Sequence, residues 1–500
     1  MTGDLPYSRP EATAAGLGDL APDRHRFIDK HVLLTGEREV VTTENGRDCL
    51  LSSLRLLVRT CSNVAVFLPG RCDELRAECH AVGAKVAFRT PVEVLSDLPA
   101  LDRYDAILSV GTRTHPHLPW TVINSNGWLA RVSSGATHLS SACDQGNPIA
   151  ALAAAALGVA DVFKRLIRLK GTRGRLVDGL SFSLYSYRCG ENDPGPSLPD
   201  QLVLDLLIVG AGAIGNGVVY LLGRLPIAGR AAIVDGQKFG SENLGTCLLI
   251  GPSDIGTEKA IFAASVLRPG LSAEGFPEDF AVFTARVGPA GSWRPVVVNA
   301  LDNIDARHAV QALWPDLIVD GAISDFGCQV SRHPWSEDTA CLMCLFRDPR
   351  GEPADLVASR ASGLQMTRVI GDAEVVTEED VRQAPPDKQE WLRARLGRAI
   401  CSVVQEAIAQ QLSAEALRAG FEPSVPFVAC LSASMVVAEL VKFLAGWPTP
   451  LEPRFQLDLL RGPAFGQLLP QARRSDCVCT TRAQNIEKVR RARRSVGANA

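Results

Sequence analysis

The stretch that most constrains how this chain folds is Leu202–Gly217, LVLDLLIVGAGAIGNG. An apolar strand breaks there into Gly210, Gly212 and Gly215, the GxGxxG spacing. The first glycine permits a tight turn, the second lets the backbone approach a phosphate, and the third lets the next helix pack on the strand. That helix points its unpaired N–H groups at an anion. Val218–Arg224 continues as an apolar helix, and Ala231–Asp235 reads as a second buried strand ending in a carboxylate placed to bond a ribose. The unit is a βαβ nucleotide-binding half. Taken alone, it favours NAD or FAD over ATP.

Downstream residues reverse that preference. SENLGTCLLIGPSDIGTEKA follows the acidic strand end, and VVVNALDNIDAR then supplies a further apolar strand with an aspartate behind it. A hydride-transfer enzyme has no use for a lysine and a second carboxylate at these places. An enzyme that attacks the α-phosphate of ATP needs both, the lysine to offset phosphate charge and the carboxylate to hold magnesium. This stretch resembles the adenylation domain of E1 ubiquitin-activating enzymes and of their bacterial relatives, the ThiF/MoeB sulfur-carrier adenylyltransferases. The resemblance implies an ATP site made of Gly210, Gly212, Gly215, Asp235, Asn243, Lys259 and Asp302. Asp235 would take the ribose, Asn243 matches the asparagine of an N-L-x-R-Q stretch, Lys259 would take the phosphates, and Asp302 the Mg2+. One departure is Thr246, which stands where the family has an arginine. The resemblance also implies an arginine reaching the phosphates from near the start of the chain. Arg9 in YSRP, and Arg24 and Arg26 in DRHRF, are rivals, and Pro10 speaks against a helix at Arg9.

Five hundred residues with 46% hydrophobic content predict about three domains with a sizeable core. A net charge of −3 favours neither nucleic acid nor an anionic membrane. No secretory signal opens the chain, and no segment reaches the ~20 apolar residues of a membrane span. Fourteen scattered cysteines read as reduced thiols, which predicts a cytoplasmic protein. After a loose arm (1–24), residues 25–192 carry a second α/β pattern. HVLLTG, VAVFLP, KVAFRT, DAILSVGT and WTVINSNGWLARVSS read as strands, and Leu50–Arg59 and Pro148–Leu169 as helices. Its first strand runs into TGEREVVTTENG without the glycines, and no lysine–aspartate pair follows. The predicted fold class is therefore α/β with two Rossmann-like adenylation domains, the first degenerate. The resemblance implies that they form a pseudo-dimer within one chain. No clear internal repeat is visible, so the duplication rests on strand pattern.

A Pro/Gly linker at 193–200 leads into the active domain, 201–344 and 426–480. Cys341 and Cys344 (CLMC) and Cys477 and Cys479 (CVC) suggest four thiolates around one structural Zn2+. Between the pairs lies an insert, 345–425, with a predicted helix from Lys388 to Leu412 and a single cysteine, Cys401. The resemblance implies that this insert carries a thioester-forming cysteine. Arg393, Arg395 and Arg398 lie close enough in sequence to lower the Cys401 pKa. Cys328 and Cys430 read as buried packing residues, and 481–500 as a frayed basic tail. The function implied is an E1-like enzyme. It would adenylate the C-terminal carboxylate of a ubiquitin-like protein with MgATP, take it as a thioester on Cys401, and pass it to an E2-like protein. Further homodimerisation stays open. The alternatives are a ThiF/MoeB-type enzyme without thioester transfer, an NAD-dependent oxidoreductase, and a nucleotide-binding scaffold without turnover.

Overall fold

The strands His31–Gly36 (β1) and Leu202–Val209 (β8) are largely apolar runs, the composition of a parallel strand covered on both faces. Each seeds a sheet. The computed structural model describes residues 9–336, 339–346, 354–370, 375–400, 403–404, 406–407, 425–449 and 453–497. The first sheet adds Asn63–Phe67 (β2), Glu93–Leu95 (β3), Ala106–Val110 (β4), Trp120–Asn126 (β5), Leu129–Ser133 (β6) and Leu180–Ser183 (β7). The second adds Ile227–Val234 (β9), Ser272–Phe276 (β10), Val296–Asn299 (β11), Leu317–Ser324 (β12), Gly327–Pro334 (β13), Arg454–Asp458 (β14) and Gln467–Leu469 (β15).

The two sheets have the same plan. Their orders are β3-β2-β1-β4-β5-β6-β7 and β10-β9-β8-β11-β12-β13-β14-β15. In each, five parallel strands pass into antiparallel ones at β5/β6 and β12/β13. The duplication is thus topological, although no repeat survives in the residues. Two helices, Pro148–Leu166 and Pro426–Leu444, are almost entirely buried. Phe163 of the first meets Phe427 of the second at 5.4 Å between ring centroids, inside one core that spans both halves.

Several expectations need correction. KVAFRT is not a strand. Val86 ends a helix, Asp73–Val86, whose buried face is Leu75, Cys79, Gly83 and Val86, a helical spacing that outweighs the short alternation after it. Pro10 does not prevent a helix: Arg9–Ala15 is helical, because a proline in the first turn gives up an N–H that has no partner there anyway. The helix Pro426–Leu444 is long and apolar enough to cross a membrane, with mean hydropathy 1.9, but 89% of that stretch is buried within the protein. The expected helix 388–412 is interrupted. Pro386–Arg393 is helical, Gly397 sits at φ 74°, and Ala399 pairs with Val375 in an isolated bridge. The basic tail is helical over Ala483–Gly497, and its Arg490 is buried.

The described part of the insert closes a small core of its own from Leu364, Val376, Val381, Ala384, Leu392, Ile400 and Val403. Cys401 lies outside the described residues.

Candidate nucleotide site and four-cysteine centre

A cavity of about 530 Å³ opens beyond the carboxyl ends of β8, β9 and β11. This is where open α/β sheets bind ligands. Its lining brings together Gly210, Gly212, Asp235, Asn243, Lys259 and Asp302. Gly210 has φ 92°, and its N–H donates to Val234 O at 2.9 Å, so the turn requires glycine. A Cβ on Gly215 would meet Gly210 O at 2.1 Å, whereas one on Gly212 would meet nothing within 4 Å. Gly215 therefore serves the close packing of helix on strand, and Gly212 leaves room for a ligand. The helix Ala213–Leu222 begins at this opening. Asp235 is held on both oxygens: Ala211 N–H donates to Oδ2 at 2.7 Å and Gln237 N–H to Oδ1 at 2.9 Å. Lys259, only 5% exposed, donates from Nζ to Gln237 Oε1 at 2.7 Å. Asn243 accepts Gly240 N–H at 3.0 Å, which fixes the short helix Ser241–Gly245.

Of the three rival arginines, Arg9 lines the cavity. Burial lowers its pKa, opposed by Cys247, Glu242 and Asp302 nearby. Arg24 is turned to the carbonyls of Gly18 and Ala21, and Arg26 is exposed. Thr246 is fully buried and does not line the cavity. The loop it belongs to is held from the first half: Arg59, also fully buried, donates to Cys247 O at 2.7 Å and Ile250 O at 2.6 Å. Burial draws the Arg59 pKa down to about 9.

Sequence reasoning missed a second layer. Arg307 donates from Nη1 to Asp302 O at 3.0 Å and from Nε to Asp320 Oδ1 at 3.1 Å, and Asn299 donates to the same oxygen at 2.5 Å. Burial raises the Asp320 pKa, with Arg307 opposing. The signal for Arg307 was its position five residues after Asp302, on the helix Ile304–Gln311 that Asn303 caps. Gln237, the partner of Lys259, had no motif to reveal it.

The first half shows why it has no counterpart. Gly36 pairs with Val110 as Val209 pairs with Asn299, so Glu37 stands at the position of Gly210 and Arg113 at that of Asp302. The Glu37 carboxylate accepts the N–H groups of Thr112 at 2.9 Å and Arg113 at 2.7 Å, and the Thr112 hydroxyl at 2.9 Å. A built-in anion takes the N–H groups at the place where the second half is open.

Cys341, Cys344, Cys477 and Cys479 are buried, with their sulfurs all within 4.8 Å of one another. Neighbouring pairs lie at 3.5–3.8 Å. Four thiolates about 2.3 Å from a tetrahedral zinc stand roughly this far apart, so these residues fit the metal. The hydrogen bond from Cys341 draws the Cys344 thiol below its ordinary range. Every other described cysteine is a free thiol, and all of these except Cys189 are buried. Burial raises the pKa of Cys247, and that of Cys430 to about 12. Neither is the accessible thiolate a transfer step needs. Two of the arginines counted on for Cys401, Arg395 and Arg398, pair with Glu406.

A Rossmann-type sheet with a glycine turn, a buried lysine and two carboxylates around one cavity defines the class of nucleotide-binding adenylyltransferases. The sequence profile of the ThiF family matches residues 202–479, more than half of the chain, and the chain belongs to that family. Uncharacterized protein y4jF of Sinorhizobium fredii is 30% identical over 403 residues, 74% of this chain and 75% of that protein. Among solved structures, E. coli MccB with ATP matches with a TM-score of 0.35 and 14% identity, over 56% of this chain and 67% of that one. MccB alone matches at 0.34 and 13%, over 55% and 65%. At that level nothing about the site is transferred from MccB. The oxidoreductase alternative falls with the family assignment.

Proposed function

We propose that this chain is an E1-like enzyme that activates the C-terminal carboxylate of a ubiquitin-like protein. The observation that carries the reading is the convergence of Arg9, Lys259 and Asp302 on one cavity with the glycine turn and Asp235. A carboxylate oxygen of the partner forms a bond to the α-phosphorus of ATP, and the bond to the pyrophosphate oxygen breaks. Lys259 and Arg9 offset the charge that builds on the phosphates, and the N–H groups behind Gly212 add their dipoles. Asp235 orients the ribose. Asp302 would hold Mg2+, which would supply neutralisation of the phosphate charge. Asp302 is itself positioned through Arg307. Zn2+ would sit on the four cysteines and supply cross-linking rather than catalysis, since four thiolates leave it no open position.

The second step of the proposal is transfer. The Cys401 thiolate attacks the acyl carbon, AMP leaves, and the thioester then passes to an E2-like acceptor. The insert supports this reading by carrying a single cysteine in its sequence, and its described residues close a core of their own. The engagement of Arg395 and Arg398 by Glu406 favours the runner-up, a ThiF/MoeB-type enzyme that adenylates without a thioester. The test is ATP–pyrophosphate exchange that depends on an added ubiquitin-like protein. No exchange with any such partner, in protein that still binds ATP, would leave the scaffold reading instead.

A further inference from the structure

The helix Ile304–Gln311 has two ends with different neighbours. Its start, with Asp302, Asn303, Ala306 and Arg307, forms a wall of the nucleotide cavity. Its last residue, Gln311, is buried, and its Oε1 accepts the Leu342 N–H at 2.8 Å, between Cys341 and Cys344. His308 donates from Nε2 to Phe346 O at 2.6 Å, and the Arg307 guanidinium lies 4.4 Å from the centre of the Phe346 ring. The first cysteine pair is thus tied to this helix at three points.

The second pair reaches the same helix by another route. Cys477 and Cys479 lie in the turn Val478–Thr481 and its cap, and the helix Ala483–Gly497 follows directly. From that helix, Arg493 donates to Leu313 O at 2.5 Å, and Arg490 donates to Trp314 O at 2.5 Å and to Pro315 O. These carbonyls belong to the exit of Ile304–Gln311. They lie just past the end of the helix, in the segment that leads on to β12, and the arginines of the second helix hold that segment in place. A metal that joins the two pairs therefore closes a ring of contacts around the helix that follows Asp302.

We propose that the four-cysteine centre and the nucleotide cavity are energetically linked through this helix, with Gln311 as the positioning residue, so that metal occupancy sets nucleotide affinity. The proposal rests on the nucleotide reading above and adds regulation to it. Linkage is reciprocal, so bound nucleotide must tighten the metal by the same factor.

The experiment uses the full chain, zinc-loaded and then stripped with a chelator and returned to Mg2+. Calorimetry with ATP reads the dissociation constant. Stripping is expected to weaken ATP about ten-fold, within the usual range for coupled sites, and saturating ATP to slow zinc release to a chromogenic chelator. Gln311→Leu is the second arm. It is expected to keep its zinc, bind ATP about five-fold more weakly, and lose most of the zinc dependence. A residue that only stabilised the fold would leave that dependence intact. Equal ATP affinity with and without zinc overturns the proposal, as does a chain that takes up no zinc. If the stripped protein unfolds, zinc-loaded Gln311→Leu with wild-type ATP affinity overturns it alone. Zinc-loaded wild type that binds no ATP sinks the functional reading as well, so the two failures are told apart.

Discussion

Asp302, in the turn after β11, and Lys259, at the start of the helix Lys259–Leu267, face one cavity, and their loss is expected to be unequal. Asp302→Ala should reduce pyrophosphate exchange about 10³-fold, since the metal loses its protein ligand and the phosphate charge its counter-ion. Lys259→Ala should be severe but less complete. Arg9→Ala should cost about 10²-fold, because Arg9 is the only described residue of the first 24 that lines the cavity. With Arg9 in place, Thr246→Arg should not raise the rate; a rise would mean that the threonine leaves the transition state short of charge. Cys401→Ala should retain exchange and lose the adduct with the ubiquitin-like partner that reducing agents release. An adduct that survives this substitution removes Cys401 from the mechanism. Every other described thiol outside the four-cysteine centre except Cys189 is buried, so suspicion would fall on Cys189.

Among elements, the helix Pro426–Leu444 shows how a buried, mostly apolar segment tolerates charge. Glu439 is buried on it, bonded by Lys442 of the same helix, by the Tyr187 hydroxyl at 2.6 Å and by Arg332 at 3.3 Å. Tyr187 belongs to the first half, so this network joins the halves. Burial pushes the Glu439 pKa up, but Lys442 and Arg332 outweigh it and hold it below the ordinary 4.5. A depressed folded pKa contributes stability that is present above 4.5 and lost as pH falls through the folded value. Thermal melts of the wild type should therefore drop as pH falls below 4.5. Glu439→Gln should flatten that drop. At neutral pH it should also cost about 3–5 kcal/mol, the scale of stranding a buried cation. Equal acid sensitivity in both proteins would contradict the assignment. The four-cysteine turns make a parallel case: the purified chain should carry about one zinc, and chelation should lower the melting temperature, because metal affinity is part of folding free energy. A metal-free preparation with unchanged melting would remove the zinc claim.

At the scale of the whole molecule, two sheets of one topology share one core, and only one keeps an open nucleotide site. The reason is local. At the register position of Gly210 the first half has Glu37, whose carboxylate takes the N–H groups of Thr112 and Arg113. The closed half still serves the open one, through Arg59 on the carbonyls of Cys247 and Ile250. What the sequence determined by itself was whatever depends on short spacing: the glycine turn, the acid strand ends, Lys259, the cysteine pairs and most strands. A turn, a strand and a pair of thiols are specified by neighbours along the chain. What only tertiary structure decided was whatever depends on approach from afar. Gln237 became the partner of Lys259, Arg9 was selected over Arg24 and Arg26, and Arg59 reached the carbonyls of Cys247 and Ile250. The tail became a docked helix, through Arg490 on Trp314 O and Arg493 on Leu313 O. Such contacts join residues distant in the chain, and their energies come from burial and hydrogen bonds formed only once the elements pack. Local pattern therefore carries no record of them.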